Sequence, residues 1–100
     1  MIERIVLFKL QDEFGQREAL EALAEQGQSV LAALPGVREV RVAIPSDPES
    51  ARSWDLGFFL CFDSMEDVEA YRVHPNHRML VDDVLKPRVQ VVKAWNFETR

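Results

Sequence analysis

Residues 54–62 read WDLGFFLCF. In an extended chain, successive side chains point to opposite faces. Trp54, Leu56, Phe58, Leu60 and Phe62 therefore share one side, and Gly57, Phe59 and Cys61 the other. Both sides are apolar, so the segment predicts a strand that needs cover on both faces. Just before it, residues 45–53 (PSDPESARS) are polar and carry two prolines. They read as a mobile connection, the only one long enough to act as a lid. Residues 37–44 (VREVRVAI) form another strand, with Val40, Val42 and Ile44 on the same face as Arg38. Two strands thus follow each other with no helix between them, and this decides the topology.

Outward from that pair the chain alternates. Residues 16–33 predict a helix, because Leu20, Leu23, Ala24, Gly27 and Leu31 recur at helical spacing. Glu18, Glu21, Glu25 and Gln28 take its outer face. Gly27 costs about 1 kcal/mol against Ala inside a helix, which a close approach to another backbone would explain. Leu34-Pro35-Gly36 ends the helix. Residues 2–10 (IERIVLFKL) read as the first strand. Ile2, Arg4, Val6, Phe8 and Leu10 lie on one face, with Glu3, Ile5, Leu7 and Lys9 on the other.

On the far side, Ser64 followed by Met65-Glu66-Asp67 is a helix start, with acids in the first turn to complement the dipole. His74-Pro75 breaks that helix, because the residue before proline is pushed out of the α region. A new helix starts at Pro75 with His74 at its cap and runs to Leu85, before Lys86-Pro87. Residues 89–97 (VQVVKAWNF) form the last strand. The order β-α-β-β-α-β predicts an α+β, ferredoxin-like arrangement over residues 1–100 as one domain: an antiparallel four-stranded sheet with its helices on one face. Two helices cover one sheet face only, and a bare apolar face exceeds what a soluble monomer tolerates. The expected solution is a homodimer, two sheets packed face to face in a barrel-like core.

Composition excludes several classes. The chain has 100 residues, 12 Lys and Arg against 17 Asp and Glu, and a net charge of −5. That balance argues against nucleic-acid or acidic-membrane binding. The apolar run Ile5–Phe8 is too short for a signal peptide or a membrane span. One cysteine cannot staple a fold, so a reducing, cytoplasmic setting is expected, with Cys61 as a small core residue. Metal binding has little support: His74 and His77 straddle a helix start, with no third His and no Cys beside them.

Three segments resemble the stress-responsive A/B barrel (Dabb) proteins of the dimeric α+β barrel superfamily. They are Ile5-Val6-Leu7-Phe8-Lys9, the turn Leu34-Pro35-Gly36-Val37, and Tyr71-Arg72-Val73-His74-Pro75-Asn76-His77. The last is similar to a Y-x-x-H-P-x-H motif and is the most specific. Trp54-Asp55-Leu56 fits as well, so the resemblance spans nearly the whole chain. It implies the dimeric ferredoxin-like fold and says less about activity. Some polyketide cyclases of the family use a Tyr and a His in an internal pocket, and related folds include cofactor-independent monooxygenases and isomerases. Two departures stand out. Arg4 replaces a His found in many relatives, and Asn96 replaces an Asp.

His77 has apolar partners at Leu80, Val81 and Val84, so it points inward. It is either a core histidine satisfied by a backbone carbonyl or a proton carrier. Tyr71 shares the Met65 and Val68 face. It is either a buried aromatic or a donor to a substrate oxyanion. His74 reads mainly as a cap. Arg4 either meets a carboxylate such as Asp55 or an anionic ligand, or reaches water from the strand end. Asn96 could hold a His77 tautomer but offers no charge. These readings predict a small hydrophobic pocket with His77 and Tyr71 as catalytic residues. Arg4, Val6, Phe8, Leu23, Phe58, His74 and Asn96 would contact a small aromatic or polyketide-like carbonyl compound. The reaction would be a cofactor-independent cyclisation or isomerisation. The alternative is a non-catalytic stress-related dimer or small-molecule binder whose own side chains fill the pocket.

Overall fold

The computed structural model describes residues 1–100. Strands β1 (Ile2–Leu10), β2 (Glu39–Ala43), β3 (Leu56–Phe62) and β4 (Val89–Glu98) form one antiparallel sheet in the order β2-β3-β1-β4. Helices α1 (Arg17–Ala32), α3 (Met65–Val73) and α4 (Pro75–Met79) lie on one face, and a short α2 (Pro48–Ser53) joins β2 to β3. This is the βαββαβ ferredoxin-like fold. No helix is long and apolar enough to cross a membrane.

The pairing places the residues in rows. Val6 sits between Phe58 and Ala94, and Arg4 between Leu60 and Asn96. These rows face the helices and hold the core, where Phe62, Leu60, Leu56, Leu31 and Val68 are fully buried. On the opposite face Ile5 sits between Phe59 and Trp95, and Leu7 between Gly57 and Lys93. No helix covers this face: Trp95 stays 42 % exposed and Phe97 53 %. The expectation of a two-sided apolar sheet is met.

Four local readings change. Residues 45–53 are not loop throughout: residues 48–53 form α2, capped by Asp47, which accepts from the Ser50 N–H at 2.7 Å and the Ser50 hydroxyl at 2.8 Å. Those bonds, the backbone one first, hold the Asp47 carboxyl below its usual range. Gly27 approaches a side chain rather than a backbone, since a Cβ there would lie 2.9 Å from Cζ of Phe58. Cys61 lies half-buried on the open face, not in the core. The helix from Pro75 does not stay α-helical to Leu85: residues Leu80–Leu85 widen into a π turn closed by Lys86 N–H on the Val81 carbonyl at 2.8 Å. Leu80 and Leu85 are both buried. Residues five apart diverge on an α-helix, and π winding brings them to one side.

Asp55 does not meet Arg4. It closes the β1–β3 ladder instead, donating its N–H to the Phe8 carbonyl at 2.8 Å and accepting the Leu10 N–H on its carboxylate at 2.8 Å. Lys9 lies 3.4 Å from the same carboxylate. Asp55→Ala strands the buried Leu10 N–H, so urea unfolding should show a loss of about 1–3 kcal/mol. Asp55→Asn keeps an acceptor and should lose less. Equal losses for the two variants would contradict this role.

Candidate functional site

The interruption at His74-Pro75 builds the site. The His74 backbone is extended, its side chain accepts the Asn76 N–H at 3.1 Å, and Pro75 opens α4. The chain therefore turns after α3 and brings His77 back over Tyr71. Their ring centroids lie 4.3 Å apart, and Tyr71 packs edge-on against Phe62 at 5.1 Å. Both residues are buried, at 8 % and 2 % exposure.

Beneath them lies a cavity of about 360 Å3. Its floor is Arg4, Val6 and Phe8 of β1 with Phe58 of β3, its outer wall Val92 and Ala94 of β4, and its roof Leu80, Val81 and Leu85 of the π turn. Ligand pockets typically start near this size. A larger hollow of about 670 Å3 lies beside α2 and the open sheet face, lined by residues such as Leu7, Trp54 and Phe59. It shares no residue with the cavity that holds the Tyr71–His77 pair.

The histidine is poised in one protonation state. Nδ1 of His77 lies 2.9 Å from the Arg72 carbonyl oxygen. A carbonyl only accepts, so Nδ1 carries the proton and Nε2 is left with a lone pair and no partner in the chain. Burial pushes the His77 pKa below its ordinary 6.5. The Arg72 carbonyl works against that shift, and the charges of Arg78, Arg4 and Arg72 add to it. His77 is thus a neutral imidazole near pH 7. Burial raises the Tyr71 pKa, partly offset by the charge of Arg4 and hydrogen bonding to it. The hydroxyl keeps its proton and can donate. No group of three or more His, Cys, Asp or Glu side chains gathers to hold a metal ion.

The profile of the stress responsive A/B barrel domain matches residues 2–98. The chain belongs to the Dabb family. Among solved structures, it is similar to a Dabb protein with a ferredoxin-like fold from Mesorhizobium loti: TM-score 0.82, 21 % identity, covering 99 % of this chain and 96 % of that one. A dimeric ferredoxin-like protein of unknown function from Bacteroides fragilis aligns with TM-score 0.77 and 24 % identity over 98 % and 95 % of the two chains. A hydroxynitrile lyase from Passiflora edulis aligns with TM-score 0.80 and 11 % identity over 99 % and 93 %. No curated protein matches the sequence.

In this Dabb chain the cavity gathers Tyr71, His77, Arg4, Val6, Phe8 and Phe58. Leu23 packs in the core away from it, with Leu31 at the cavity in its place. His74 turns to its cap. Asn96 lies beside the cavity and orients Arg4, not His77: its Oδ1 accepts from Arg4 Nη1 at 3.0 Å. Arg4 reaches water only in part, because its Nε is sealed from solvent without a partner. Sequence spacing did not reveal Arg72, Arg78 and Lys86 at the cavity, nor the β4 wall. The β4 wall was readable in principle, since Val92 and Ala94 share parity with Asn96. Cys61 is no rival nucleophile: burial, then Glu39 and Glu3, push its thiol up, and Arg41 opposes this only in part.

The His77 shift has a sign that can be checked. The unfolded chain binds a proton at His77 more readily than the folded one, so stability rises with pH across this window. The contribution is complete above 6.5 and is lost as pH falls through it toward the lowered folded value. NMR titration of the His77 ring should give a midpoint below 6.5. The fall in Tm between neutral and mildly acid pH should be shallower in His77→Gln. A midpoint above 6.5 would contradict the burial described.

Proposed function

We propose that residues 1–100 act as one domain, that two copies pack their open sheet faces together, and that each cavity hosts proton transfer on a small hydrophobic carbonyl compound. The observation that carries the catalytic reading is the partnerless Nε2 of His77 beside Tyr71 in a cavity of about 360 Å3. A cavity filled by its own side chains would favour a non-catalytic dimer, and this one retains room for a ligand.

The steps follow from the two side chains. Nε2 takes a proton from the carbon beside the carbonyl, and the Tyr71 hydroxyl donates a hydrogen bond to the enolate oxygen as charge develops there. The imidazolium then returns the proton to another carbon, an isomerisation, or the enolate carbon attacks a second carbonyl and the imidazolium protonates the alkoxide formed, an aldol-type cyclisation. A lowered pKa keeps the base unprotonated at neutral pH but also makes it a weaker base. Apolar walls around Phe8 and Phe58, whose rings meet edge-on at 4.9 Å, suit an aromatic substrate. The same fold houses a hydroxynitrile lyase in Passiflora edulis, which supports the scaffold as a place for catalysis. Dimeric relatives, including those from Thermobifida fusca and Jannaschia, support the homodimer. The single thiol fits a cytoplasmic setting.

Two measurements test this reading. Light scattering should give twice the 11.5 kDa chain mass, and Trp95→Glu, which puts a charge on the open face, should give the single-chain mass. A monomeric wild type removes the dimer. For the chemistry, NMR in D2O can follow exchange of the α-protons of 2-tetralone, a bicyclic benzylic ketone. The protein should accelerate exchange over buffer, with losses of about 100-fold or more in His77→Gln and somewhat less in Tyr71→Phe. Unchanged exchange in His77→Gln would remove His77 as the base.

A further inference from the structure

Arg4 is an anomaly in the floor of this cavity. Its Nη1 donates to the neutral Asn96 amide, its guanidinium also neighbours the neutral Tyr71 hydroxyl, its Nε is buried with no partner, and it forms no ion pair with any carboxylate of the chain. The side chain is half-buried, and a guanidinium partly withdrawn from water without a counter-ion is costly to keep. The other cations at the cavity are accounted for differently. Arg72 pairs with Glu69 at 3.2 Å and Arg78 with Asp82 at 2.7 Å, while Lys86 sits exposed at the edge. No Asp or Glu lines the cavity, although the chain as a whole carries a net charge of −5. The cavity is therefore a positive, largely apolar hollow in an acidic protein, a field that draws in anions.

We propose that the ligand of this cavity carries a carboxylate, and that Arg4 is its anchor. With Nη1 committed to Asn96 and Nε sealed, Nη2, which is neither sealed nor paired with any carboxylate of the chain, is left to meet a ligand carboxylate. Asn96 accepts from Arg4 and so holds the guanidinium plane without neutralising it, which an Asp at that position would do. The anchor rests on Arg4 alone. Its extension to a substrate class, a hydrophobic oxo-acid with its carbonyl between Tyr71 and His77, rests on the function proposed above.

Calorimetry with 4-propylbenzoate and its neutral near-isostere 4-propylbenzamide tests the anchor without requiring turnover. The wild type should bind the carboxylate at least about 10-fold more tightly than the amide. Arg4→Gln should erase that preference and leave amide binding unchanged. Arg4→Lys, which keeps the charge but loses the fork, should retain only part of it. If Arg4→Gln does not fold, the wild type and Arg4→Lys decide between them. Equal binding of the two compounds by the wild type overturns the anchor and leaves the cavity reading standing. A preference that survives undiminished in Arg4→Gln or Arg4→Lys also overturns it. Binding of neither compound overturns both readings.

Discussion

Strand β1 is hydrogen-bonded along both edges, to β3 and to β4, and the rest of the molecule depends on that double pairing. The pleat of one strand decides which residues meet. Arg4, Val6 and Phe8 rise toward the helices, where they become the cavity floor. Ile5 and Leu7 fall toward the open face, where they join Phe59 and Trp95. A one-residue slip would exchange the two sets, putting Arg4 among the residues of the bare face and Ile5 under the helices. The ladder end that Asp55 ties to Leu10 and Lys9 works against such a slip.

The site owes its shape to two irregularities placed above that floor. The extended backbone at His74 lets His77 face Tyr71, a meeting that a continuous helix would not produce for residues six apart. The π turn then carries Leu80 and Leu85 to one side and roofs the cavity with apolar atoms. Both irregularities have a local cause, the proline in one case and the spacing of two buried leucines in the other. Burial, helped by the nearby arginine charges, keeps the histidine neutral, and the Arg72 carbonyl fixes which ring nitrogen holds the proton.

How much of this was legible depended on how local the signal was. Strand faces, the Ser64 cap, the break at His74-Pro75 and the inward turn of His77 all follow from residues within a few positions of each other, and the structure shows each of them. The ferredoxin-like topology followed from reading β2 and β3 as consecutive strands, and the short α2 found between them leaves the sheet order unchanged. Other features depend on contacts that spacing does not encode. PSDPESARS reads as loop because its prolines and serines suit either state, and the Asp47 cap tips it to helix. Arg4 could have met any internal carboxylate. Asp55 was already taken by Leu10 and Lys9, and Asn96 stands opposite Arg4 only through the β1–β4 register. Leu23 and Leu31 have equal claims on the helix face, and only the position of α1 over the sheet separates them.

Strand β4 is one residue thick and has two audiences. Val92 and Ala94 touch the cavity, while Lys93 and Trp95 point out of the opposite face of the same strand. A guest that presses the strand outward moves both sides at once. If a second copy rests on that outer side, guest binding and assembly share one mechanical element. Any free-energy difference the guest feels between separate and paired chains must then return, in equal measure, as a change in how strongly the chains pair.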